Sequence, residues 1–157
     1  ILPLVFVSVT LAVIDLETTR LPDALTIPLA VLMPAAGGLA VLLGTPGSAW
    51  IRAIATAGIA AVVFLLIALI TPAGIGLGDV KLVPSLAFGM GLLDRGEARA
   101  FIGLLLAFML GALVSLGLIL AKRAGRKTKI PFGPFLVVGT LIALWWGDPL
   151  VELWLGP

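Results

Sequence analysis

The chain has 157 residues, 61% of them hydrophobic and 11% charged, with a net charge of +2. A soluble domain carries about 25% charged residues, so the composition excludes an ordinary soluble fold, and so small a net charge gives no reason to expect a nucleic-acid partner. Cysteine, histidine and tyrosine do not occur in it. Within these residues that excludes disulfides, thiol catalysis, cysteine-ligated zinc and a histidine general base. Proton chemistry is left to Asp, Glu and Lys.

Six apolar segments follow in chain order. The first, Ile1 to about Asp15, is shorter than the roughly 20 residues a spanning helix needs. It also lacks the basic start and small-residue cleavage site of a signal peptide. It is therefore expected to be a transmembrane helix whose upstream part precedes residue 1, or one that continues past Asp15. The next segments are Leu25–Leu43, Ile51–Ile70, Val80–Leu93, Ala100–Ala121 and Ile130–Trp146. The fourth is short unless Asp79 and its glycines sit at membrane depth. No strand alternation is present, so the pattern predicts an all-α, polytopic membrane protein, a bundle of about six transmembrane helices forming one domain over 1–157. Small residues four apart, Ala53/Ala57 and Ala107/Gly111/Ser115, predict close helix contacts.

Two acidic stretches stand at the mouths of these segments: Asp15-Leu-Glu-Thr-Thr-Arg-Leu-Pro-Asp23 and Gly76-Leu-Gly-Asp79-Val-Lys81. An ionisable group beside lipid is costly and marks a functional site by default. Asp15 closes a wholly apolar run and is the stronger catalytic candidate of its stretch. Asp23 reads as the N-cap of the next helix, and Glu17 and Arg20 as solvated interfacial charges. For Asp79 the plain alternative is also a cap, although the helix it opens is apolar. Gly76 and Gly78 give the backbone freedom to approach the site, and Lys81 is expected to snorkel toward the interface, the alternative being that it lowers the pKa of the acid.

Lysine and arginine set the orientation. Lys122, Arg123, Arg126, Lys127 and Lys129 follow the fifth segment without an acid, which predicts a cytoplasmic loop. Counting back through alternating spans places both acidic stretches on that same side. The loop at 94–99 then faces outward, carrying Arg95 and Arg99 beside Asp94 and Glu97. Asp94, Glu97, Asp148 and Glu152 read as ordinary interfacial charges on that side, with Trp145, Trp146 and Trp154 as an aromatic belt. Two carboxylates brought together cannot both ionise cheaply, so one holds a proton. The ionised member can then take a proton from water while the neutral one polarises a carbonyl, as in an aspartic-protease dyad.

Three blocks in order, Ile14-Asp15 with Leu21-Pro22-Asp23-Ala-Leu-Thr26-Ile-Pro28-Leu29, Gly76-Leu-Gly-Asp79-Val-Lys81-Leu82, and Ile130-Pro-Phe-Gly-Pro-Phe135, resemble the type IV prepilin peptidases, membrane aspartic proteases of the Gly-x-Gly-Asp class. The resemblance implies a peptidase domain that removes the short basic leader of prepilins or pseudopilins, in type IV pilus or type II secretion systems. It places the cut after a glycine, just ahead of the substrate's hydrophobic helix, at the cytoplasmic face of the bacterial inner membrane. It maps the catalytic pair onto Asp15 and Asp79, with Gly76, Gly78, Asp23 and Lys81 as motif positions. The expected partners are the prepilin or pseudopilin substrate and membrane lipid, and no cofactor or metal is implied. Many bacterial relatives also carry an N-terminal region with Cys-x-x-Cys motifs and methylate the new N-terminus. Those motifs are not among these residues, so methyl transfer is not expected of them. The rival reading is a proton-coupled transporter or channel using paired acids as a relay. It calls for mid-helix acids and an inverted repeat, and neither is visible.

Overall fold

In the computed structural model, residues 2–19, 21–71, 75–123 and 130–156 are described. Among them every regular element is an α-helix: α1 (Leu2–Thr18), α2 (Asp23–Leu42), α3 (Gly47–Ile70), α4 (Leu77–Gly91), α5 (Gly96–Leu120) and α6 (Gly133–Leu155). The six apolar segments correspond to these six helices. Four of them, α2, α3, α5 and α6, are long and apolar enough to cross a membrane. The chain is thus an all-α, multi-pass membrane protein. Helix α1 continues past Asp15 to Thr18, as the second of the two expectations for it required. Arg20 and the basic residues Arg126, Lys127 and Lys129 lie outside the described residues.

Each peripheral helix buries a narrow stripe and exposes hydrocarbon. On α1 the stripe is Leu4, Ser8, Leu11 and Asp15, spaced four, three and four residues apart, which is one face of a 3.6-residue period. Leu2, Phe6, Val13 and Leu16 point outward and are exposed. That surface suits lipid, where exposed apolar side chains carry no penalty.

Helix α4 is the exception and the centre. Its 15 residues span about 22 Å, less than the roughly 30 Å of a hydrocarbon core. It touches all five other helices, and Leu82, Val83, Leu86, Ala87, Phe88 and Met90 are buried. A helix wrapped by protein does not need the length of one facing lipid. Two glycines permit the wrapping. Leu4 of α1 lies against Gly89, and the α-carbon of Ala53 on α3 lies where a Cβ on Gly91 would be 2.7 Å away.

Helices α5 and α6 cross on small residues. Gly139 faces the carbonyl of Gly103, a Cβ on it would meet Ala107 Cβ at 3.1 Å, and one on Gly111 would meet Phe132 at 3.0 Å. The expected roles of Ala53, Ala107 and Gly111 as contact positions are therefore met. Ser115 instead returns its hydroxyl to the carbonyl of Gly111 at 2.6 Å, within its own helix.

The far end of the bundle corrects one reading. Arg99, expected on an outward-facing loop, lies inside α5 and is buried. Its Nε donates to the carbonyl of Asp94 at 2.9 Å and its Nη1 to those of Ala143 and Leu144 at 3.2 and 3.4 Å. Nη2 pairs with the Asp148 carboxylate. These acceptors surround a break in α6 at Trp146, whose φ of −115° and ψ of 18° are not helical. Pro149 adds to the break because it has no amide to return to the preceding turn. Nearby, Arg52 donates to the carbonyls of Gly91 and Leu93 at 3.3 and 3.1 Å, placing a cation at the end of α4. The sixth apolar segment ends at this break, and a further helical stretch follows it.

Candidate active site

At the opposite end of the bundle, the end of α1 meets the starts of α4 and α6. Asp15 lies in the last turn of α1, and Asp79 is the third residue of α4. Each carboxylate lies at a helix N-terminus, that of Asp15 against the start of α6 and that of Asp79 in the first turn of α4, where amides lack intrahelical acceptors and the macrodipole favours negative charge. Asp15 Oδ2 accepts the N–H of Gly133, the first residue of α6, at 3.0 Å. Asp79 Oδ2 accepts the N–H of Gly76, the residue before α4, at 3.2 Å. The side chain of Asp79 thus makes the carboxylate half of a capping box from position N3 rather than acting as an N-cap. Both aspartates are 5% exposed, so neither carboxylate is a surface cap in water.

Helix register brings the two acids together. Leu4 packs on Gly89, and α1 and α4 run in opposite directions. Asp15 is eleven residues further along α1 and Asp79 ten residues back along α4, about 16 and 15 Å from that contact at 1.5 Å per residue. They therefore reach the same level of the bundle. The second oxygen of Asp79, Oδ1, is buried without a hydrogen-bond partner among the described residues. The Ser8, Ser85 and Thr140 hydroxyls share that state, but Oδ1 is the carboxylate among them and the one that can exchange a proton with a reactant near neutral pH.

All three sequence blocks converge here. Leu21 packs on Gly78, where a Cβ would come within 2.8 Å of Leu21 Cβ. Lys81 Nζ donates to Asp23 Oδ1 at 2.7 Å. The start of α2 corrects one expectation. The N-cap of α2 is Pro22, with no side-chain cap bond, and Asp23 is already inside the helix. Lys81, its side chain half exposed, is tied to Asp23. Gly133, quoted only as part of a motif, turns out to be the partner of Asp15. Its one signal in the sequence is a glycine between two prolines at a helix start.

An apolar groove of about 270 Å³ lies elsewhere, between α3 and α5, lined by Thr56, Phe64, Phe101 and Phe108 among others. Its only carboxylate is Glu97 at the rim. It lacks the paired acids and amides of the α1–α4–α6 junction, so the junction is the better candidate site.

Comparison with known families decides the relationship. The model described as the type IV leader peptidase family matches residues 2–119. The chain belongs to that family. Curated relatives named prepilin leader peptidase/N-methyltransferase include those of Aeromonas hydrophila, 36% identical over 97% of this chain and 51% of theirs, and of Legionella pneumophila, 32% identical over 97% and 51%. That of Bacillus subtilis is 27% identical over 96% of this chain and 58% of its own. The chain spans about half the length of the curated relatives it matches. No solved structure matches it.

Proposed function

We propose that these residues form the peptidase part of a membrane aspartic endopeptidase. It removes the short basic leader of prepilins or pseudopilins, with Asp15 and Asp79 as the catalytic pair. The observation that carries this reading is the meeting of two buried carboxylates at two helix N-termini, at the level where α1 and α4 come together. The relatives' names supply the substrate class.

The chemistry needs only water and the pair. The ionised carboxylate takes a proton as the water oxygen attacks the scissile carbonyl carbon, and the neutral carboxylic acid gives its proton to the carbonyl oxygen. The tetrahedral species then collapses. Its C–N bond breaks, the departing nitrogen takes the proton the pair holds, and a hydroxyl of the diol gives its proton to the pair as it becomes the new carboxyl group, so the pair again shares a single proton. The amides of Gly133 and Gly76 hold one oxygen of each acid in place, so the acids are oriented before substrate arrives. The site faces the cytoplasm of a bacterial inner membrane in this reading. Lys122 and Arg123 support that orientation, since they follow the end of α5 at the same end of the bundle and cytoplasmic loops are enriched in such residues. The methyl-transfer activity in the relatives' names is not assigned to these residues.

The direct test is incubation of the purified protein with a prepilin in detergent, following the shortened product by mass; an uncut prepilin sinks the reading. Gly133→Ala is a sharper probe of the geometry. The added Cβ would lie 2.7 Å from Asp15 Oδ2 and 3.2 Å from its Cγ, so the carboxylate must move. Displacement of a reacting group by about 1 Å lowers rates about 100-fold, and a loss of that order is expected. Gly117→Ala, whose Cβ would meet nothing within 4 Å, serves as the control and should cleave normally.

A further inference from the structure

We propose that the Lys81–Asp23 ion pair is a latch that sets the position of Asp79, making both of them positioning residues for cleavage. The inference rests on the peptidase reading above and adds to it a device for holding one of the two acids in register.

The need for such a device lies in the start of α4. Its first turn runs Leu77-Gly78-Asp79, preceded by Gly76, and glycine is a poor helix former with wide backbone freedom. Asp79 therefore stands on a part of the helix with little intrinsic rigidity. Asp79 bonds Gly76 on its N-terminal side, but that bond is internal to the same turn and cannot fix it against the rest of the bundle.

The segment Leu21-Pro22-Asp23 supplies the external contacts, one on each side of the acid. Leu21 covers Gly78, immediately before Asp79. Asp23 holds Lys81, two residues after it, at 2.7 Å. Pro22 fixes the backbone between these two contacts, at a φ of −70°. A rigid three-residue clip thus grips α4 at two points that bracket Asp79. Because α2 begins at Asp23, the clip refers the acid to a membrane-spanning helix and not to a loose connection.

The exposure of the pair favours placement over stability as its role. The side chains of Lys81 and Asp23 are 46% and 57% exposed, and ion pairs that wet add little to overall stability. Their value is geometric, since a charged pair specifies one register of two helix starts where an apolar contact tolerates several. Among the described residues Lys81 makes no hydrogen bond or ion pair to Asp79, only the one to Asp23.

The test uses the full-length protein in detergent and a peptide carrying a basic leader, a glycine and an apolar segment. Lys81→Met and Asp23→Asn are each expected to lower kcat about tenfold while KM stays within about twofold. The exchange Asp23→Lys with Lys81→Asp should restore kcat to within about threefold of the parent. Amide hydrogen exchange over 76–81 should rise in both single variants and return in the exchanged pair, a readout that does not depend on cleavage. Single variants with unchanged kcat, an exchanged pair as slow as its parents, or unaltered amide exchange would each overturn the latch. If the unaltered protein fails to cut the peptide, the peptidase reading falls, and the amide exchange still decides whether the clip exists.

Discussion

Asp79→Asn is expected to lower prepilin cleavage by about 10²–10⁴-fold, the usual contribution of a positioned general acid or base, and Asp15→Asn to do the same. Asparagine keeps the shape of aspartate and one carbonyl oxygen. Position 79 can therefore still accept the N–H of Gly76, and position 15 that of Gly133. What is lost is the ability to take up and release a proton. Two groups acting on one proton inventory do not contribute independently, so the double variant should be little slower than either single one. Neither change removes packing or leaves a charge unpaired, and unfolding midpoints should not fall. Asp94→Asn, at the other end of the bundle, should cleave at the parental rate. Activity should also be greatest where the pair holds one proton and fall where it holds none or two, so a flat profile against pH counts against the dyad. If either single variant keeps its activity, that residue leaves the mechanism.

The division of the chain into helices was readable because hydropathy and breakers speak locally. Gly44-Thr-Pro-Gly47 and Asp94-Arg95-Gly96 interrupt apolar runs, and the helices stop and start there. The catalytic candidates were readable for a related reason: a carboxylate among hydrocarbon is conspicuous, and counting spans put Asp15 and Asp79 at one end. The partners of those carboxylates were less visible. Asp15 meets Gly133 from 118 residues away and Lys81 meets Asp23 from 58, and no local pattern encodes which pairs close. The centrality of α4 was obscured by its shortness, which reads as a weak span when it belongs to a helix sheathed by others. Arg99 was missed because Asp94-Arg95-Gly96-Glu97 surrounds it with the look of a wet loop. One signal was present. Arg99 lies on the same helical face as Gly96, Gly103, Ala107 and Gly111, the small-residue stripe that α5 buries.

Arg99→Met is expected to be the most damaging single change away from the site, destabilising the bundle by about 3 kcal/mol or more. Two contributions compete for the credit. The ion pair with Asp148 is conspicuous, yet the Asp148 side chain is 64% exposed, and the Arg99 side chain 7%. Water therefore solvates the acid in either case, and losing the pair matters by about 1 kcal/mol at most. The backbone bonds weigh more. Arg99 serves three carbonyls, the buried bond to Ala143 and half-buried ones to Asp94 and Leu144, and an acceptor left without a donor costs about 1–3 kcal/mol where it is fully buried. Methionine fills much of the space beside Gly147, which the guanidinium closely abuts, but offers no donor to the broken turn at Trp146. Lysine keeps the charge and cannot fork to several acceptors at once, so Arg99→Lys should fall between the two. Asp148→Asn should lie within about 1 kcal/mol of the parent. Equilibrium unfolding in mixed micelles orders the variants. If Asp148→Asn proved as harmful as Arg99→Met, the surface pair and not the carbonyl clamp would be holding the kinked helix in place.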